Sequence, residues 1–174
     1  MTDARPDRIR LRRLRAGDLR AFQAYRADPQ VARYQGWEAM DDARAAEFIA
    51  WNAETPPFPT GWWQIGIARM PEDELIGDLG LCLSADGCEI ELGITLARAA
   101  QGAGLAEEAV HLATRMVWDG TEAQRIVVNT DARNAPALAL IARLGLDPAG
   151  TLRDGPAVEQ VFEMRRPATR RSRG

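Results

Sequence analysis

Gln101-Gly102-Ala103-Gly104-Leu105-Ala106, followed by Glu107-Glu108-Ala109, lies between a run that alternates like a strand and a run with helical periodicity. Small side chains at such a junction let consecutive backbone N–H groups face outward. The positive end of the following helix adds to them, so a pyrophosphate can be held there without lysine. The stretch is not a P-loop, because no Gly-Lys-Ser/Thr follows. Nor is it the dinucleotide fingerprint, because the glycine spacing differs and the strands before it form a meander.

Upstream, residues 89–96 place Ile90, Leu92, Ile94 and Leu96 on one face and Glu89, Glu91, Gly93 and Thr95 on the other. Residues 75–83 put Leu75, Leu79, Leu81 and Leu83 on one face, and 62–69 alternates at Trp63, Ile65 and Ile67. These runs predict an antiparallel meander of three strands, entered through a proline-rich loop at 55–61. Before it, 9–14 reads as a strand, and Ala16-Gly17-Asp18 opens a helix carrying Leu19, Phe22 and Tyr25. Asp28-Pro29 stops that helix, 31–35 reads as a short helical turn, and 41–54 as a longer helix facing inward with Ala45, Phe48 and Ile49.

Downstream, Leu105, Ala109, Leu112 and Met116 recur at helical spacing over 105–118, and 125–130 is a short β-branched strand, so a right-handed crossover is expected. Asn134 can cap a helix with Pro136 in its first turn, the apolar face Leu138, Ile141 and Leu144, and a stop at Gly145. Strands at 151–153 and 158–164 complete the order β, α, α, βββ, α, β, α, ββ. Residues 1–166 are expected to form a single domain, and the arginine-rich 167–174 a disordered tail.

With 174 residues, 46% of them apolar, the chain can bury one core but not two. No run approaches the roughly 20 apolar residues of a membrane span and no leader pattern opens the chain, so a soluble, cytoplasmic protein with no membrane partner is expected. Cys82 and Cys88 are the only cysteines, too few for a metal quartet or a disulfide framework, and are expected as reduced thiols with no metal. All 22 basic residues are arginine, which reads as codon bias. They crowd both ends of the chain, but no aromatic residues interleave with them and no recognition helix is evident, so nucleic acid is not an expected partner. A homodimer stays open.

The chain resembles the GNAT superfamily of N-acetyltransferases, whose signature Gln/Arg-x-x-Gly-x-Gly/Ala is matched by Gln101, Gly104 and Ala106. The likeness extends through IRLRRLRAGDLRAF at 9–22, ELIGDLGL at 74–81, EIELGITL at 89–96, AQGAGLAEEAV at 100–110 and DARNAPALALIARLGLDPAG at 131–150. These blocks look like the branch of ribosomal-protein N-terminal alanine and serine acetyltransferases. The resemblance implies an α/β (α+β) fold with a mixed, mostly antiparallel sheet flanked by helices, its central two strands parallel and splayed to admit the coenzyme. It implies transfer of acetyl from acetyl-coenzyme A to a primary amine by direct attack in a ternary complex. The acceptor would be a protein N-terminus, or alternatively a small amine such as an amino acid or aminoglycoside. A weakened coenzyme-binding sensor is the third reading.

On the same resemblance, backbone groups of Ile94, Thr95 and Leu96 hold the pantetheine arm, and amides of Gln101, Gly102, Ala103, Gly104, Leu105 and Ala106 hold the pyrophosphate. Asn134 touches the pantetheine or is a plain helix cap. Arg98 and Arg143 meet the 3′-phosphate or are solvated arginines. Glu91 is the expected general base, since it matches the glutamate just upstream of the family's glycine, and Glu89 is the runner-up by the same alternation. The position where many relatives carry a serine acid is Ala137, and Tyr25 and Tyr34 lie far upstream. The acid is therefore water, a residue of the early helices, or absent. Neither cysteine is expected as a nucleophile, and the lone histidine, His111, reads as surface or core-edge. Trp37, Trp62 and Trp63 are candidates for an aromatic wall around the acceptor, with burial in the core as the alternative.

Overall fold

The computed structural model describes residues 8–154 and 157–168. Strands β1 (Ile9–Arg12), β2 (Gly61–Arg69), β3 (Glu74–Leu83), β4 (Glu89–Leu96), β5 (Arg125–Asp131), β6 (Asp147–Asp154) and β7 (Ala157–Arg165) form one seven-stranded sheet in the order β1-β2-β3-β4-β5-β7-β6. Among these strands only β4 and β5 pair in parallel. Helices α1 (Leu19–Arg26), α2 (Pro29–Ala32) and α3 (Asp42–Glu54) precede the meander, α4 (Leu105–Gly120) links β4 to β5, and α5 (Ala135–Leu144) follows β5.

The two faces of the sheet are covered by different helices, as the alternation requires. Ile65, Ile67, Leu79, Leu81, Ile90 and Leu92 pack with Leu105, Ala109, Val110, Ala113 and Val117 of α4. Leu14, Phe22, Tyr25, Ala45, Ile49 and Leu75 form a second cluster under α1 and α3. Burying one such aliphatic side chain stabilises by about 1.5–3 kcal/mol, so the two layers together make the sheet a rigid platform.

Leu75 does not share the face of Leu79 and Leu81 as its spacing suggested. The register between β2 and β3 shifts at Ile67/Ala68, where Ile67 opposes Gly77 and Ala68 opposes Leu75. The extra residue, Ile76, enters the α4 core and the bulge turns Leu75 to the other cluster. Pro29 opens α2 rather than merely ending α1: Asp28 caps it by accepting from the Gln30 N–H, and proline suits a first helical turn. β6 is longer than the expected 151–153, because Pro148 and Gly150 are tolerated at a register shift on an edge strand.

The arginines near the start of the chain are engaged internally. Arg12 pairs with Asp18, both side chains under 10% exposed, and Arg10, Arg12 and Arg15 converge on Asp73, holding its carboxyl well below the usual carboxylate range. Arg13 donates to the carbonyls of Ala53 and Thr55. Arg166 donates to the carbonyls of Trp118, Thr121 and Ala123, closing the end of α4. The expected tail at 167–174 lies outside the described residues beyond Ala168. Among the described residues no helix is long and apolar enough to cross a membrane, and no cluster of three His, Cys, Asp or Glu side chains could hold a metal ion.

Candidate active site between two splayed strands

β4 and β5 pair only through Glu89–Arg125, Ile90–Ile126 and Glu91–Val127. Beyond Glu91 the two strands part, and the alternate residues of β4 that do not bond to β3, Leu92, Ile94 and Leu96, turn their backbone groups toward the gap. A segment with no ladder partner leaves backbone N–H and C=O groups free, which an extended amide-bearing arm can satisfy. Ile94 and Leu96 line this gap, whereas Thr95, against the expectation, turns its backbone to Asp78 of β3, and the Leu96 carbonyl already accepts from Gln101 Nε2 at 3.0 Å. That bond ties the following loop to the end of the strand.

The loop has the geometry of an anion seat. Gly102 and Gly104 sit at φ 76° and 78°, a region costly for side-chain-bearing residues. Gly104 is the N-cap of α4 and its carbonyl accepts from Glu108 N–H, so the amides of Gly104, Leu105, Ala106 and Glu107 have no partner within the helix. They sit at the positive end of a 16-residue helix. The Gln101 amide differs from expectation: it donates to the Arg98 carbonyl inside a short 3₁₀ turn. Ala103 is exposed beside the seat. Arg98 is exposed, and Arg143 donates to Glu107 at 3.3 Å. The residues present therefore suit a pyrophosphate joined to an extended amide arm, the parts of coenzyme A that this gap and loop would hold.

Beside the gap, on the β2–β4 side, a set of residues shares the α1/α3 face. Register places Trp62 and Gln64 of β2, Gly80 and Cys82 of β3, and Glu91 and Gly93 of β4 side by side. A Cβ on Gly93 would meet nothing within 4 Å, and one on Gly80 would lie 3.1 Å from the Trp62 ring. The floor is thus open over Gly93 and roofed by Trp62, which is 47% exposed. Trp63 belongs elsewhere. It is 2% exposed, its ring lies 5.9 Å from Phe58, and its indole donates to the Asn52 carbonyl, so it builds core rather than an acceptor wall. Trp37 stacks on the Arg26 guanidinium, whose carbon lies 4.3 Å from the ring centre, and Arg26 in turn pairs with Asp78 of β3.

Glu91 is half-buried, and Asn129 Nδ2 donates to its Oε1 at 3.0 Å. Burial pushes the Glu91 carboxyl above its ordinary range; the Asn129 hydrogen bond opposes this, while the charges of Glu159 and Glu89 add to it. Glu89 instead is bound at one oxygen by Arg125 Nε at 2.6 Å, in a cluster that also holds Glu163. The Cys82 thiol faces Glu91 and is pushed up by burial and by that carboxylate, the reverse of what a thiolate nucleophile needs. Cys88 is exposed on the turn before β4, and His111 is exposed on α4 near Glu107.

Two residues of the site escaped the sequence reading. Asn129 interrupts an otherwise apolar and β-branched run, Ile126-Val127-Val128, and that poor strand former was the available signal. Its Oδ1 is buried with no partner. Tyr34 lies far upstream in sequence, yet its hydroxyl donates to the Arg133 carbonyl at 3.2 Å, immediately before Asn134. Asn134 itself caps α5, its Oδ1 accepting from the Ala137 N–H at 3.3 Å.

The geometry agrees with comparisons against known proteins. The family described as acetyltransferase (GNAT) domain matches residues 8–147. An uncharacterized N-acetyltransferase p20 from Bacillus licheniformis is 25% identical over 149 residues, covering 85% of this chain and 84% of that protein. A spermidine N-acetyltransferase from Vibrio cholerae, solved with CoA and spermine, superposes with a TM-score of 0.77 at 17% identity, over 92% of this chain and 96% of the other. A ribosomal L7/L12 alpha-N-protein acetyltransferase, solved with coenzyme A, gives 0.78 at 12% identity, over 92% and 95%. At such identities the last two speak for the fold and not for one branch of the family. Family match, seven-stranded sheet and splayed parallel pair together establish that this chain belongs to the GNAT acetyltransferases and is an acetyl-CoA-dependent N-acetyltransferase.

Proposed function

We propose that this enzyme acetylates the N-terminal amine of a protein or peptide, with Glu91 as the general base, on the floor formed by Trp62, Gly80, Cys82 and Gly93. The observation that carries this reading is Glu91 itself: a half-buried carboxylate of raised proton affinity, oriented by Asn129 and facing open space over Gly93. Acetyl-CoA supplies the activated acetyl group. This chain's residues hold the coenzyme by backbone groups of Ile94 and Leu96 and by amides at 102–106, receive the acceptor against Trp62, and take its proton at a Glu91 oxygen, directly or through one water. A base with affinity raised toward neutrality loses the least driving force in that transfer.

Tyr34 completes the proposal as the acid. It lies in the turn after α2, and its hydroxyl stands at the head of α5, the region where Ala137 replaces the serine of the resemblance. Rotated off the Arg133 carbonyl, that hydroxyl can return a proton to the departing coenzyme thiolate.

A small polyamine is the second reading, favoured by one observation: Glu159 lies close enough to Glu91 for its charge to be felt, which makes the cleft acidic. Thiol release from acetyl-CoA on a panel of peptides with alanine or serine N-termini, spermidine, amino acids and aminoglycosides separates the two. Saturable turnover on the peptides alone supports the first reading. Turnover confined to polyamines replaces it by the second, and coenzyme binding without turnover on any amine leaves a sensor.

A further inference from the structure

We infer that Arg8, at the head of β1, is a positioning residue for the coenzyme's pyrophosphate: it locks the 103–104 peptide so that the Gly104 N–H faces the phosphate seat. Arg8 Nη1 donates to the Ala103 carbonyl at 2.8 Å. The 103–104 peptide is trans, so its carbonyl and N–H point in opposite directions. Drawing the carbonyl toward Arg8 aims the amide of Gly104 away from Arg8. Without that hold, the glycines on either side of Ala103, both at positive φ, leave the peptide free to flip and present an oxygen to the phosphate.

Arg8 is itself fixed by four further contacts. Its Nε and Nη2 contact Glu108 Oε2 at 2.9 and 2.7 Å, its backbone N–H donates to Glu108 Oε1 at 3.2 Å, and its carbonyl accepts from Met70 N–H at 2.9 Å. Glu108 stands in the first turn of α4 and Met70 just beyond β2. The guanidinium thus bridges sheet, loop and helix with a fork that lysine cannot reproduce. The Arg8 side chain is 50% exposed, so its ion pair contributes little to folding, and its effect falls on the loop.

The inference rests on the pyrophosphate being seated at residues 102–106, and the test separates the two. Binding of acetyl-CoA and of S-acetyl-pantetheine, which lacks the pyrophosphate, is measured by calorimetry for the wild type, Arg8→Ala, Arg8→Lys and Gly104→Ala, with thermal unfolding as a check on the fold. Arg8→Ala is expected to weaken acetyl-CoA by about tenfold, the equivalent of one charge-assisted hydrogen bond, and S-acetyl-pantetheine not at all. Arg8→Lys should fall between Arg8→Ala and the wild type. Equal weakening of both ligands by Arg8→Ala, or no weakening of either, overturns the role of Arg8. If Gly104→Ala weakens acetyl-CoA while Arg8→Ala does not, the seat stands and only Arg8 falls. If neither does, the seat itself is misplaced.

Discussion

Asn129 Nδ2 donates to Glu91 Oε1 at 3.0 Å just where β4 and β5 cease to pair, so one strand tempers the proton affinity that burial raises in a carboxylate on the other. The hydrogen bond favours the charged carboxylate and lowers its affinity, whereas the charge of Glu159 raises it. Removing each partner should therefore move the acid limb of the pH–kcat/KM profile in opposite directions. Asn129→Ala loses the lowering influence and shifts the limb to higher pH; Glu159→Gln loses the raising influence and shifts it to lower pH. Shifts of the same sign, or none, would detach that limb from Glu91.

Trp62 and Trp63 are adjacent in sequence and opposite in role, because successive strand residues face opposite ways. Trp62→Ala should raise the acceptor KM several-fold while leaving acetyl-CoA affinity and thermal stability near the wild type. Trp63→Ala should cost about 3–5 kcal/mol of stability, as truncations of buried aromatic side chains do. Denaturant unfolding and steady-state kinetics on the two variants check both statements.

Tyr34→Phe tests the proposed acid. With the hydroxyl gone, kcat should fall by about tenfold, less than the ~10²-fold or more that general acids usually supply, since a thiolate can also leave into water. Acetyl-CoA affinity should hold. An unchanged kcat would return the proton donor to solvent.

Much of this was legible in the order of residues. Alternation at Ile90, Leu92 and Ile94 set the two faces of β4, and through them the outward direction of Glu91. The glycines at 102 and 104 marked the turn into α4. What escaped has physical reasons. The bulge at Ile76 is invisible to a strict period of two, since it needs only one extra residue to send Leu75 to the other face. Trp63 and Trp62 fit pocket and core equally well until the register is known. Tyr34 lies 99 residues before Arg133 along the chain, and no local pattern encodes a contact made only by the packing of α2 near the head of α5. Asn129 was detectable as a poor strand former, but its partner was not. The hold of Arg8 on Ala103 spans 95 residues and was equally hidden.

The most direct test of the account is the rate of thiol release by Glu91→Gln against the wild type, at saturating acetyl-CoA and the best amine of the panel, across pH. The substitution keeps the shape and the Asn129 contact but removes the proton acceptor. The account predicts a fall in kcat of about 10²-fold or more with the acid limb abolished and acetyl-CoA affinity unchanged, because the coenzyme seat is made of backbone. Turnover undiminished at every pH would contradict it.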